Sequence, residues 1–240
     1  MKNTVRTFTP EDIKKVVGII NEKATAWKED GTAYAKIISK GNHKTGNNIP
    51  VFNLPPVVTC GGNCKACAKH CYAIKDYKSI KVGTVSKSHS RNMVALQENS
   101  EKAFADIEKQ IVKSGCKFFR VHASGDFALT INGDKFAYAR AWFELAERHP
   151  EVNFLAFTKV YEVAREIPFD SLPNFELVLS EWTDELVAPE DLKKRYRTSR
   201  AVNELSDARE SEMICPGNCD TCGMCWNLSK AQHDVAFEIH

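Results

Sequence analysis

Apolar positions recur at helical spacing in some stretches and as short continuous runs in others, and from about residue 86 the two patterns alternate. Thr9-Pro10-Glu11 supplies a cap, a proline at the first helical position and an acid in the first turn. Ile13, Val16, Val17 and Ile20 follow on one face, which predicts a helix over about 10–27. A short strand is expected at 34–38, and a Gly/Asn/Lys loop at 41–48. Residues 51–59 are apolar but contain Pro55 and Pro56, so an extended segment or poor strand is expected there. Helical spacing dominates 86–113, with a break near Asn99-Ser100, where Ser100 can cap a second helix carrying Phe104, Ile107 and Ile111 on one face. Gly115 ends that helix.

Beyond it, strands are expected at 116–122, 152–158 and 175–180, with helices at 134–148 and 161–166. After Pro189 a charged segment, 190–210, reads as a helix with a solvated face, and 234–240 alternates as a last strand. Strands separated by helices argue for βαβ units. The expected fold class is therefore α/β: a partial or compact (β/α) barrel of parallel strands carrying two cysteine-rich metal loops. One domain is expected over 1–240: an N-terminal helix and loop (1–49), a βα core with the first cysteine loop (50–188), and an extension with the second (189–240). Ligands in such folds bind beyond the carboxyl ends of strands, so Ala123 to Asp126, Thr158-Lys159 and Ser180-Glu181-Trp182 become candidate positions.

Composition narrows the function. With 33 Lys+Arg against 31 Asp+Glu over 240 residues, the net charge of +2 creates no global field for nucleic acid or an anionic membrane. Hydrophobic content of 43% excludes a disordered chain. Residues 1–10 hold Lys2 and Arg6 but no apolar core, and no stretch approaches the roughly 18 apolar residues of a membrane span, so a cytoplasmic protein with no membrane partner is expected.

The nine cysteines carry the chemistry. Cys60, Cys64, Cys67 and Cys71 form one run, Cys215, Cys219, Cys222 and Cys225 another, and Cys116 stands alone as a small core residue. Clustered thiols in a reducing compartment point to metal rather than disulfides. Both runs begin C-x-G-N-C-x-x-C, so both are expected to wrap similar inorganic bodies. Tetrahedral zinc usually takes two close pairs separated by a longer loop, whereas thiols at two- to three-residue intervals encircle a [4Fe-4S] cluster in bacterial ferredoxins. Two [4Fe-4S] clusters are therefore expected, with zinc as the alternative metal. In ferredoxin-type runs the fourth cysteine can serve another cluster, which leaves the roles of Cys71 and Cys225 open.

Cys60-x3-Cys64-x2-Cys67 after an extended apolar segment resembles the signature of the radical S-adenosylmethionine (SAM) enzymes. The resemblance implies that these three thiolates hold three irons, that the fourth iron takes the amino and carboxylate groups of SAM, and that reduction yields a 5′-deoxyadenosyl radical. It implies an electron donor such as a flavodoxin or ferredoxin. Ser124-Gly125-Asp126 then falls where that family places a motif near the SAM amino group, with Asp126 as amine contact or acid/base. The chain departs from the pattern at Ala66, where an aromatic is common, and at Cys71, which as a fourth ligand would leave no open iron. A second resemblance spans about 50–240: PPVVTCGGNCKACAKHCYA, FRVHASGDF, FLAFTK and CPGNCDTCGMCW followed by VAFEIH are similar to the phage-associated gene product 88 family, whose name implies no activity.

Weaker candidates remain. His70 can replace Cys71 as a ligand, and His122 is either a core histidine or a substrate contact. Lys159, Glu181 and Trp182 lie at strand ends, and the basic stretch 193–200 can touch phosphates. Together these leave two further readings: a non-radical iron–sulfur protein for electron transfer or redox sensing, and a zinc-stapled nucleic-acid-binding module.

Overall fold

The computed structural model describes residues 7–30, 37–41, 45–46, 48–61, 65–78, 83–183, 185–226 and 233–239. Among them, helix α1 (Pro10–Asp30) precedes the two-residue strand β1 (Val51–Phe52), which Pro55 and Pro56 keep from extending. Short helices α2 (Lys65–Lys69) and α3 (Tyr72–Lys78) follow, then the long pair α4 (Gly83–Glu98) and α5 (Ser100–Ser114). The break between that pair falls where expected, but the cap is Asn99, not Ser100: its Oδ1 accepts from Lys102 N at 2.9 Å. Gly115 ends α5 in the left-handed conformation, φ 62°.

The remaining units are β2 (Phe118–Val121), α6 (Ala137–Arg148), β3 (Asn153–Thr158), α7 (Tyr161–Glu166), β4 (Phe175–Trp182), α8 (Glu190–Lys193), β5 (Thr198–Val202), β6 (Glu212–Ile214), α9 (Cys219–Cys222) and β7 (Asp234–Glu238). The strands form a seven-stranded sheet ordered β1-β2-β3-β4-β5-β7-β6, with every neighbouring pair parallel. Strands β1 and β6 are its two ends. Since β1 to β5 are laid down in chain order, successive crossovers step the same way and their helices gather on one face.

That face holds the main core. Phe52, Phe119, Val121, Phe154, Ala156, Phe175, Leu177 and Leu179 from the strands pack with buried residues of α1, α4, α5, α6 and α7. Trp142 on α6 is central, with ring centroids 5.4 Å from both Phe52 and Phe104 and 5.7 Å from Phe119. The opposite face carries two small apolar patches instead, one of Ile49, Leu155, Val178 and Trp226, the other of Ala66, Trp182, Ala201 and Ile239.

Two strands differ from the sequence expectation. The segment 190–210 is helical only over Glu190–Lys193, and Thr198–Val202 is a fully buried strand. Its charges are neutralised internally, which lets a charged stretch enter a sheet. Arg200 pairs with Glu212 at 2.6 Å and Arg197 with Glu176 at 2.8 Å. Lys193 reaches Glu181 at 3.2 Å, and Arg195 reaches Asp170 at 2.6 Å. The basic stretch is therefore largely occupied by carboxylates. Strand β6 is three residues long and was not expected. The expected strand at 34–38 lies mostly outside the described residues, and 37–38 have no regular structure. No helix among the described residues is long and apolar enough to cross a membrane.

Candidate metal centre

The first cysteine run leaves the sheet at the carboxyl end of β1, where the chain is fastened to the end of β2. Asn53 Oδ1 accepts from the backbone N–H groups of Ala123 (2.8 Å) and Ser124 (3.0 Å). Ser124 Oγ donates to the Leu54 carbonyl at 2.9 Å, and Leu54 N donates back to Ser124 O at 2.9 Å. Gly125 has φ +85°, and a Cβ there would lie 2.6 Å from Leu54 Cβ and 2.8 Å from Thr59 Oγ1. Only glycine lets the two segments approach this closely. Thr59 O then accepts from Ala128 N at 3.2 Å, which fixes the residue immediately before Cys60.

Asp126 closes the same platform. Its Oδ1 accepts from Thr158 Oγ1 and Phe127 N, each at 2.7 Å, and Oδ2 accepts from Lys159 N at 2.8 Å. Both oxygens are engaged, so this buried carboxylate ties the end of β2 to the end of β3. Burial raises its pKa, and the hydrogen bonds from Lys159, Thr158 and Phe127 oppose that shift.

Cys60 follows this platform directly, Cys67 packs in the patch of Ala66 and Trp182, and Cys71 packs against the helix-side core. Burial pushes the Cys60 thiol pKa up, with the Asp126 carboxylate, Cys71 and Cys67 adding to the rise. Burial also raises Cys71, while Lys159 acts to lower it. Cys64 lies outside the described residues. Lys159 Nζ donates to Ser180 Oγ at 2.9 Å and lies 6.0 Å from the Trp182 ring, on which His70 stacks at 6.1 Å. Glu181 points to the helix face, accepting from Ala188 N at 2.9 Å, away from the thiols. His122 is a core residue: Nε2 lies 2.6 Å from Tyr138 Oη, and burial pulls its pKa down to about 3, so the ring is neutral. Cys116 packs against the helix-side core.

The second run lies over the other face. Cys215 extends the β6 ladder, its N–H donating to Ala236 O at 2.8 Å. Asn218 Oδ1 caps α9 at Thr221 N (3.4 Å), and Gly223 ends it at φ 61°. Trp226 anchors the loop in the patch with Leu155 and Val178, where Cys219 and Cys225 also pack. Cys215, Cys219, Cys222 and Cys225 line one shallow hollow, open to solvent and shared with Met213 and Trp226. Among the described residues, no three His, Cys, Asp or Glu side chains are placed to hold a single metal ion.

Two guanidinium groups attend this hollow. Arg197, paired with Glu176, donates from Nη2 to the Cys225 carbonyl at 3.1 Å. Arg120 on β2 donates from Nε to the His122 carbonyl at 2.9 Å and lies 4.0 Å above the Phe157 ring. Burial lowers the Arg120 pKa, and Tyr72, Cys219, Cys225 and Cys215 are the groups that act against this. Burial pushes Cys225 up to about 11, while Arg120 and Arg197 act to lower it. The sequence reading missed Arg120. Its signal was a cation in the middle of the aromatic strand segment FFRVH.

The fold and these residues define a class: a parallel α/β protein with one cysteine run at the strand ends and a second over one sheet face. The family model described as Gene product 88 matches residues 23–228, and the chain belongs to that family. It is 24% identical over 216 residues to the Gene 88 protein of Mycobacterium phage L5, covering 79% of this chain and 88% of the relative. It is 25% identical over 222 residues to the Gene 88 protein of Mycobacterium phage D29, covering 81% and 90% respectively. No solved structure matches the chain.

Proposed function

We propose that this protein carries two [4Fe-4S] clusters and uses the first to cleave SAM in the manner of radical SAM enzymes. The observation that supports the two-cluster reading is the second run, whose four cysteines line one hollow near Arg120 and Arg197. The donor set fits an anionic metal–thiolate body, because soft thiolates suit iron–sulfur clusters and the adjacent guanidinium groups offset the negative charge. Cys215, Cys219, Cys222 and Cys225 would hold the second cluster, and Cys60, Cys64 and Cys67 the first.

The radical reading rests on placement. The first run follows β1 in a parallel sheet whose first five strands succeed one another in chain order, an order that a partial βα barrel would share. When bound with SAM, such a cluster supplies the electron that breaks a carbon–sulfur bond of the cosubstrate. The chain's own part is to hold SAM beside the thiols. Ser124, Gly125 and Asp126 do so by fixing the loop that carries Cys60, and a flavodoxin or ferredoxin is the proposed donor. The cytoplasm is the compartment that keeps these thiols available.

The test is anaerobic reconstitution with iron and sulfide, followed by reduction in the presence of SAM. The expected results are about eight irons per chain, from two four-iron clusters, and release of 5′-deoxyadenosine. A colourless protein holding two zinc ions overturns the reading in favour of a zinc-stapled module. A second reading is favoured by one observation, the closeness of Cys71 to Cys60. With Cys71 as fourth ligand the first cluster would be closed, and the protein would transfer electrons or sense redox state without radical chemistry. Cys71→Ala separates the two: intact cluster and SAM binding support the radical enzyme, and loss of the cluster supports the closed one.

A further inference from the structure

On the sheet face opposite the helices, a polar row separates the two small apolar patches. Strand register sets Ser180 beside Ser199, Ser199 beside Val235 and Val235 beside Met213. Lys159, the residue after β3, completes the row by donating from Nζ to Ser180 Oγ at 2.9 Å. Two residues further along, Trp182, Ala201 and Phe237 stand abreast in one patch, and two residues before Ser180, Val178 belongs to the other. Since residues alternate between the faces of a sheet, the row shares the face of these patches. Its ends reach both cysteine runs. The Lys159 N–H is held by Asp126, in the platform that fixes Thr59 before Cys60, while Val235 and Met213 line the hollow of the second run.

Two buried polar atoms beside this row are unsatisfied. Ser199 is fully buried, yet its Oγ has no hydrogen-bond partner among the described residues. His70 Nδ1 is likewise buried without one, on a ring that stacks against Trp182. A buried hydroxyl without a partner costs free energy that alanine at the same place would not. Where a fold keeps such a group, a ligand that completes its hydrogen bond is a physical reason for it.

We propose that the row of Lys159, Ser180 and Ser199 seats the acidic group of a substrate, a carboxylate or a phosphate, between the two cysteine runs. Lys159 supplies the positive charge. Ser180 Oγ accepts from Lys159, which leaves its own proton to donate, and the Ser199 hydroxyl is the second donor to the oxyanion. The Trp182 ring, 6.0 Å from Lys159 Nζ, walls the seat on one side, so the acid is carried by a molecule with a planar or apolar part. Lys159 and Ser180 lie at the carboxyl ends of β3 and β4, where open parallel sheets bind their ligands. The proposal extends the enzyme reading by naming a substrate class, while the seat itself requires no metal on the thiols.

The experiment is isothermal titration calorimetry of the full chain, without added iron or SAM, using inorganic phosphate in one arm and benzoate in the other, each paired with a thermal melt. Binding of at least one probe is expected: phosphate alone identifies a phosphorylated substrate, benzoate alone a carboxylic acid, and both a seat open to either. Lys159→Met and Ser199→Ala should each weaken that binding about tenfold, the loss of one hydrogen bond to a charged group. Lys159→Arg keeps the charge and most of the affinity, and Arg140→Met, on the helix face and paired with Asp134, binds as wild type. Without probe, Ser199→Ala melts at or above the wild-type temperature, because it deletes an unsatisfied hydroxyl; with probe, it gains less stability than wild type does. No binding of either probe by wild type, unchanged affinity in a folded Lys159→Met or in Ser199→Ala, or an equal loss in Arg140→Met overturns the proposal. A Ser199→Ala melt well below wild type without probe also overturns it, since the hydroxyl then serves the fold alone. If Lys159→Met fails to fold, Ser199→Ala decides. Protein that loads iron and cleaves SAM yet binds neither probe keeps the enzyme reading and loses the seat; protein that binds a probe through Ser199 but takes up no iron keeps the seat and loses the clusters.

Discussion

The two faces of the sheet are built on different rules. On the helix side, aromatic and aliphatic groups from seven helices close over the strands in one continuous core around Trp142. On the other side the same strands present Arg120, Glu176 and Ser180 between two small apolar patches, where Cys67, Cys219 and Cys225 pack, while Cys71 packs against the helix-side core. In a parallel sheet the two faces share one backbone, so whatever stabilises the first also fixes the geometry of the second.

The separation can be tested by substitutions of decreasing expected effect. Trp142→Ala should cost about 3–5 kcal/mol, seen as a lower urea midpoint, while iron bound per folded molecule stays the same. Iron lost at full folding would show that the faces are not separable. Trp226→Ala on the other face should cost about 2–3 kcal/mol of buried aromatic surface and halve the iron content by releasing the second run. Full iron retention there would show that the loop is held by other contacts. Gly125→Ala forces a side chain into left-handed backbone against Leu54 and Thr59; it should cost roughly 1–3 kcal/mol and deplete the first run alone.

The smallest effect lies on the outer surface of the helix side. Arg148 holds the Glu108 carboxylate, Oε2 to Nη2 at 2.9 Å, and this hydrogen bond lowers the Glu108 pKa. A depressed carboxylate contributes stability above its unfolded value, about 4.3, and loses it as pH falls through the folded value. For so exposed a pair the contribution is below about 1 kcal/mol. Glu108→Gln should flatten the acid limb of the urea midpoint against pH by that amount and leave iron content unchanged. A change in iron content would mean that the helix side communicates with the thiols after all.

Legibility followed the same division. The helix-side elements were readable because burial on one side leaves a period: α5 shows it through Phe104, Ile107 and Ile111, and β3 and β4 through their apolar runs. Strand β5 was not readable, because Arg197 and Arg200 look solvated until their partners Glu176 and Glu212 are brought beside them by the fold. At the site, cysteine spacing made the two runs visible. The radical SAM resemblance implied that Asp126 is an amine contact or acid/base; in the fold both its oxygens accept hydrogen bonds from Thr158, Phe127 and Lys159, which spacing alone could not show. Arg120 was hidden for the converse reason: its neighbours are thiols brought in from another part of the chain.

The sheet order also sets a timetable. Strand β7 sits between β5 and β6, so β6 has no strand to pair with until residues 234–238 have been synthesised and inserted. The second run, between β6 and β7, consequently has its anchoring ladder unmade until β7 pairs, after the β1 to β5 half of the sheet is already available for docking. The seat of the second run is thus completed only when β7 pairs, after the strands that fix the first run are already in place.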